Sequence, residues 1–316
     1  MAAQRHAWVV VDLGFGDAGK GTTVDWLARD RPVHTVIRFN GGAQAGHNVV
    51  TPDGRHHCFA QLGAGSFMPG VDTYLSSTVV VHPTALLLEA ERFGGGVLDS
   101  VHISPHALLT TPVHQVLCRL REMVRGETAH GTTGVGVGET MRVSLERPEL
   151  ALRIADLRDP RRLHRRLDRL REYGRALASE LTAPARPEHH GRMVAEASCL
   201  EDDAFWRRWL KRAVRLVTRI APEGYESELL SRPGDIVFEG AQGVLLDEWR
   251  GFHPHTTWST CTSAHADEML RAYDGEVTRW GVLRSYATRH GQGPFPTECD
   301  ACSRLSEPHN GASGWQ

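Results

Sequence analysis

Hydrophobic and polar positions along this chain fall into two periods. A short valine-rich run, Val9–Val11, has no polar interruption and reads as a strand buried on both faces. It leads into a glycine-dense turn, after which Thr22–Arg29 has the pattern of a helix start, so that Trp8–Asp25 (WVVVDLGFGDAGKGTTVD) predicts strand, loop and helix in succession. A second strand is predicted at Thr35–Phe39, again followed by glycines, and Val237–Phe238 reads as the end of a third buried strand. Pro83–Phe93 and Pro112–Arg125 place apolar residues at helical spacing with charged faces between them, and so does Asp203–Ile220. Leu157–Leu177 is strongly basic, but Leu163, Leu167 and Leu170 form an i, i+4, i+7 stripe, which predicts a helix with a solvated cationic face. Ala183–Gly191 reads as a surface loop. Strands alternating with helices predict an α/β fold: a central, mostly parallel sheet with helical insertions at about 84–125 and 150–222 of one domain spanning 1–316.

Composition narrows the partners. Lysine and arginine total 36 against 38 acids, a net charge of −2, so there is no global electrostatic case for nucleic acid. No apolar run approaches the roughly 18 residues of a membrane span, and MAAQRH lacks the apolar core of a signal peptide. Six scattered cysteines suit reduced thiols, and with these features predict a cytoplasmic protein acting on small molecules. Cys299 and Cys302 form a lone CxxC with no second pair, and His253 and His255 flank a proline without a completing ligand; neither predicts a zinc site.

Chemistry concentrates in the loops. In the first, Gly14, Gly16, Gly19 and Gly21 let backbone N–H groups approach a phosphate, Lys20 adds charge, and the following helix adds its dipole. The spacing Gly14 to Lys20 matches the start of a P-loop, but Gly21 stands where Ser or Thr would hold magnesium. Asp17 is the hard oxygen that can replace that hydroxyl. The second loop, Asn40–Asn48 (NGGAQAGHN), ends in His47. Loops at successive strand ends of a parallel sheet share one edge, so Asp17 and His47 are candidates for one site, supplying a base and an acid or charge-stabilising donor. Thr132 and Thr133 lie between glycines and suit an oxyanion or a structural turn, and Gln242 carries the donor and acceptor that a purine edge requires.

Gly16–Gly21 (GDAGKG) followed by Gly41–His47 (GGAQAGH) resembles the adenylosuccinate synthetase family. His130–Gly134 (HGTTG), Phe238–Gly243 (FEGAQG) and Tyr286–Glu298 (YATRHGQGPFPTE) extend the resemblance in the family's order, to about residue 300. The resemblance implies a GTP-dependent ligase that phosphorylates the 6-oxygen of IMP and displaces phosphate with L-aspartate. It implies Asp17 as base and, with the Gly46 carbonyl, ligand to one magnesium ion, and His47 as stabiliser of the moving phosphoryl group. Gly16, Gly19, Lys20, Gly21 and Asn48 would hold the nucleoside triphosphate; Gln44, Thr132, Thr133, Gln242 and Thr257 would hold the acceptor nucleotide. A homodimer is implied by a family arginine that crosses the twofold axis, with Arg147 the nearest candidate and Arg142 or Arg153 as alternatives.

Departures from the pattern bear on the acceptor: Ala18, Gln44, Asn48 and Val135 differ from the family residues. A related enzyme makes 2-aminoadenylosuccinate from dGMP with serine at the catalytic aspartate, whereas Asp17 is retained here. The family's arginine-rich aspartate loop and guanine-reading segment follow PFPTE; Glu307–Asn310 stands where that loop begins with no arginine after it, and the resemblance implies either a C-terminally truncated member, the simpler account, or one that has lost guanine and aspartate recognition, with catalysis impaired. A non-catalytic nucleotide-binding paralogue and a ligase with a different acceptor are the alternative expectations.

Overall fold

The computed structural model describes residues 5–184, 187–289 and 291–299. At its centre six parallel strands lie in the order β10-β1-β9-β2-β5-β7. They are β1 (His6–Asp12), β2 (Val33–Arg38), β5 (Asp72–Leu75), β7 (Val101–Ile103), β9 (Asp235–Glu239) and β10 (Glu276–Val282). The valine run makes β1 an inner strand, buried on both faces between β9 and β10. Its period of two divides the core. Trp8 and Val10 join a large apolar cluster on one side of the sheet; Ala7, Val9 and Val11 join a smaller one on the other, with Phe39, Phe238 and Leu229.

The large cluster continues from the sheet into the inserted helices. α2 (Pro83–Phe93) and α3 (Pro112–Arg125) match their predicted ranges, each opened by proline in its first turn and closed by a glycine cap. α5 (Pro160–Thr182) is capped by Asp159, whose carboxylate accepts from the amides of Arg161 and Arg162. It buries Leu163, Leu167 and Leu170 as the stripe predicted, each worth about 1.5–3 kcal/mol of transfer free energy. Gly174 lets α5 approach α3 closely, since a Cβ there would come within 2.6 Å of Val113.

Two predicted elements are corrected. The segment read as a loop at 183–191 contains the start of a helix, α6 (Pro187–Ser198), which packs on α3 and α5. The helix read at 203–220 is α7 (Asp203–Ala213) followed by a 3₁₀ segment, Val214–Arg219.

The remaining elements flank the sheet and its loops. α1 (Lys20–Asp30) follows β1, and α4 (Val137–Glu146) follows the HGTTG segment. β3 (His47–Val50) and β4 (His56–Phe59) form an antiparallel hairpin; β6 (Val80–Val81) and β8 (Leu108–Leu109) pair in parallel. α8 (Tyr225–Ser231) leads to β9, and α9 (Ala264–Met269) precedes β10. Because β9 inserts between β1 and β2, the loops after these three strands leave the same edge side by side, the position at which open parallel sheets bind ligands. Among the described residues, no helix is long and apolar enough to cross a membrane.

Candidate active site

That edge opens into a cleft of about 850 Å³, large enough for a nucleotide and a second small molecule. Its wall brings together Gly16, Asp17, Lys20, Gln44, Gly46, His47, Asn48, Thr132, Thr133, Gln242 and Thr257, drawn from segments up to 241 residues apart. Gly19 is exposed as the left-handed N-cap of α1, with φ 93°. Arg147 is exposed at the C-cap of α4 and lies off this wall, while Arg142 lies on it. Arg153 is tied to the His106 carbonyl.

His47 is the best-defined chemical group in the cleft. It opens β3 rather than ending a loop, and only 6% of it is exposed. The predicted loop gives way to a strand because residues 47–50 find their hairpin partners at 56–59. Its Nδ1 lies 2.5 Å from Oε1 of Glu239, the last residue of β9, and Glu239 Oε2 accepts from the Ala64 amide at 2.9 Å. Burial would push the Glu239 carboxyl up, but Arg38, His47 and the Ala64 amide hold it below the usual carboxylate range. Burial pushes the His47 imidazole down against the upward pull of Glu239. The pair is therefore an ionised carboxylate and a neutral ring whose Nδ1–H donates. Nε2 remains, buried and with no partner among the described residues, on the side of the cleft.

Gly21 explains the missing hydroxyl of the P-loop pattern. A Cβ at this position would stand 2.8 Å from His47 Cβ and 3.3 Å from Val49 Cγ2. Serine or threonine here would push β3, and His47 with it, off α1. The loop gives up a magnesium-ligating hydroxyl so that the histidine can pack against the helix.

Asp17 (φ 60°) and Gln242 (φ 63°) hold left-handed backbone without being glycine, and both border the cleft. Such conformations cost on the order of 1 kcal/mol and collect where a side chain must be aimed. Gln242 Nε2 donates to Thr257 Oγ1 at 2.9 Å, joining two of the residues predicted for the acceptor. Both polar atoms of the Gln44 side chain are buried without a partner among the described residues, a donor and an acceptor on the same wall.

The far wall is cationic. Arg121 and Arg142 share Glu139 at 3.1 and 3.5 Å, Arg125 pairs with Glu122, and Arg142 lies over the Trp258 ring, 4.9 Å from its centroid. Thr132 donates its amide to Glu122, so this wall also holds the HGTTG segment. Of the proline-flanked histidines, His253 is exposed and His255 borders the cleft, its carbonyl accepting from buried Arg289. No group of three His, Cys, Asp or Glu side chains among the described residues is placed to hold a metal. Cys302 and Glu307–Asn310 lie outside the described residues.

Two roles were not read from the sequence. Glu239 lies in the quoted FEGAQG segment, yet its function depends on His47, 192 positions away. Asp12, at the end of β1, accepts Gly14 and Gly16 amides at Oδ1 and the Ala18 amide and Lys20 ammonium at Oδ2, at 2.9–3.2 Å. Gly16 and Lys20, expected to meet phosphate, thus donate to the chain's own carboxylate.

A model of the adenylosuccinate synthetase family matches residues 9–311. The adenylosuccinate synthetases of Bordetella avium and Neisseria gonorrhoeae are 34% and 33% identical over 298 and 301 residues, covering 92% of this chain and 64% of each relative. The chain therefore spans slightly under two thirds of their length. The fold is shared with fully ligated adenylosuccinate synthetase from Plasmodium falciparum, with a TM-score of 0.76 at 24% identity over 93% of this chain and 65% of that one. It is shared less closely with cyanophage S-2L succinoaminodeoxyadenylate synthetase bound to dGMP and dATP, with a TM-score of 0.61 at 18% identity over 93% and 71%. With the family model spanning nearly the whole sequence and the motif loops gathered on one cleft, the chain belongs to the adenylosuccinate synthetase family.

Proposed function

We propose that this chain carries the phosphoryl-transfer site of a ligase that joins L-aspartate to C6 of IMP or a related 6-oxopurine nucleotide at the expense of GTP. The observation that carries this reading is the buried Glu239–His47 pair, which leaves Nε2 to a cleft shared with Asp17. Asp17 takes the N1 proton of the purine, and O6 attacks the γ-phosphorus as its bond to the leaving diphosphate breaks. His47 takes a proton at Nε2 as the phosphate binds, and the resulting imidazolium, backed by the ionised Glu239, meets the charge on the phosphoryl oxygens. The aspartate amine then adds at C6, and the C6–O bond breaks to release phosphate. Gln44, Gln242 and Thr257 hold the acceptor, with Thr132 and Thr133 on its phosphate.

The donor set also fits magnesium. Asp17 and the Gly46 carbonyl offer two hard oxygens at the cleft, and this ion takes one or two protein oxygens plus phosphate and water. Bound there, it would neutralise charge on the triphosphate. The reading includes one domain, a cytoplasmic setting and a homodimer in which Arg147 reaches the partner's cleft, consistent with its exposed place off its own.

The test is phosphate release by the purified chain with magnesium and GTP or ATP, offering IMP, GMP or their deoxy forms, with and without aspartate. Release that requires a 6-oxopurine nucleotide and aspartate together, with a product of the succinyl-adduct mass, is expected. Asp17→Asn should abolish turnover while nucleotide binding persists. Nucleotide binding without turnover under any combination would overturn the ligase reading in favour of a binding protein.

A further inference from the structure

The phosphate loop of this chain already contains an anion. Asp12 is 1% exposed, and its carboxylate is surrounded by three loop amides and the Lys20 ammonium, itself only 3% exposed. Amides at 14, 16 and 18 turned onto one pair of oxygens form the concave arrangement with which such loops grip a phosphate. Here the chain fills it from beneath: Asp12 borders a small cavity of about 80 Å³ with Arg284, Tyr286 and Thr288, whereas Lys20 borders the large cleft.

The charge count follows directly. Asp12 offsets Lys20 at 3.0 Å, and Asp17 adds a further negative charge three residues before the lysine. The loop that the motif presents as cationic is thus an internally compensated one. A phosphate approaching Lys20 meets a lysine whose field is cancelled by a carboxylate in contact with it, in surroundings where little water screens either.

We propose that Asp12 is a positioning residue, an internal counter-anion that holds the loop curled in the absence of nucleotide and sequesters Lys20, thereby limiting the affinity of the cleft for a nucleoside triphosphate. Asparagine at this site has nearly the same shape. Its oxygen still accepts from Gly14 and Gly16, but its amide NH₂ faces the Ala18 N–H and Lys20, so the lysine is released toward the cleft. The second half of this proposal rests on the nucleotide reading above.

Lys20 and Lys211 are the only lysines in the sequence, and Lys211 is exposed, so amine acylation read by peptide mass spectrometry reports Lys20 against an internal standard. In the nucleotide-free wild-type chain, Lys211 reacts and Lys20 is protected. In Asp12→Asn, Lys20 becomes reactive, magnesium–GTP or magnesium–ATP protects it, and the dissociation constant for that nucleotide falls at least about tenfold, the direction set by uncovering one positive charge near a phosphate. Asp12→Ser, which keeps one acceptor for the loop amides, carries the same expectation should the asparagine variant fail to fold. Wild-type Lys20 reacting as fast as Lys211, or a variant binding nucleotide no more tightly than wild type, overturns the proposal. A labelling contrast with no nucleotide bound by either protein supports sequestration of Lys20 and sinks the nucleotide reading instead.

Discussion

Replacing Glu239 by glutamine keeps the side-chain volume and removes one charge from a place that water does not reach. Glu239 is fully buried, accepts from His47 Nδ1 at 2.5 Å and from the Ala64 amide at 2.9 Å, and lies in the field of Arg38, which is 2% exposed. Glutamine has one acceptor for these two donors. If its oxygen stays with Ala64, its NH₂ faces Nδ1 and the imidazole proton must move to Nε2. Arg38 loses a compensating charge, while its bond to the Leu62 carbonyl at 3.0 Å is untouched. Removing one side of such a buried charge network costs about 3–5 kcal/mol, a large share of the roughly 5–15 kcal/mol that stabilises a typical domain. Urea unfolding followed by tryptophan fluorescence should show that loss, and nitrogen-15 spectra of the histidine side chains should show the exchanged tautomer of His47. Turnover in the proposed reaction should fall by on the order of 10²–10³-fold, because without its carboxylate the imidazole is no longer stabilised as the imidazolium that faces the phosphoryl oxygens. A stability loss below about 1 kcal/mol with an unchanged His47 tautomer would refute the charge assignment of the pair.

Acid should unfold the chain through histidines outside the cleft chemistry. Burial lowers His82 to about 4 and His114 to about 3, so between pH 6.5 and those values the unfolded chain binds protons that the native chain does not, and stability falls as pH falls. From pH 7 to pH 5 each should cost about 2 kcal/mol, and His114→Gln should flatten the measured dependence of unfolding free energy on pH. An unchanged slope would contradict the burial of a neutral ring at that position. Gly21→Ser should destabilise the chain by about 1–3 kcal/mol by overpacking against His47, and a melting temperature equal to wild type would show that β3 yields freely.

The helices that bring their own punctuation were legible in the sequence. α2 and α3 begin at a proline and end before a glycine, and between those marks the apolar spacing leaves one solution. α6 was missed because the stretch read as a loop, Ala183–Gly191, is rich in proline and histidine, and its helix is settled by packing on α3 and α5. The glycine loops were readable because their composition is itself unusual, and the cleft does gather them. What they touch was not readable. His47 is held by Glu239, 192 residues later, and the P-loop lysine by a carboxylate at the end of the strand before it, a partner that the motif does not specify. Motif residues announce which donors a loop possesses, whereas the acceptors are chosen by the sheet order.

The sheet order also sets a timetable. β1 is made first, yet both of its neighbours, β9 and β10, come from residues 235–282, and β2 reaches it only through β9. A ribosome must therefore deliver more than two hundred further residues before the opening valine strand can pair, so until then an apolar segment waits without a sheet. The β2–β5–β7 half, by contrast, draws its partners from residues 33–103. The glycine loops after β1 and β2 are joined only when β9 takes its place between the two strands. Any chain released before β9 has emerged lacks the strand that joins its two glycine loops.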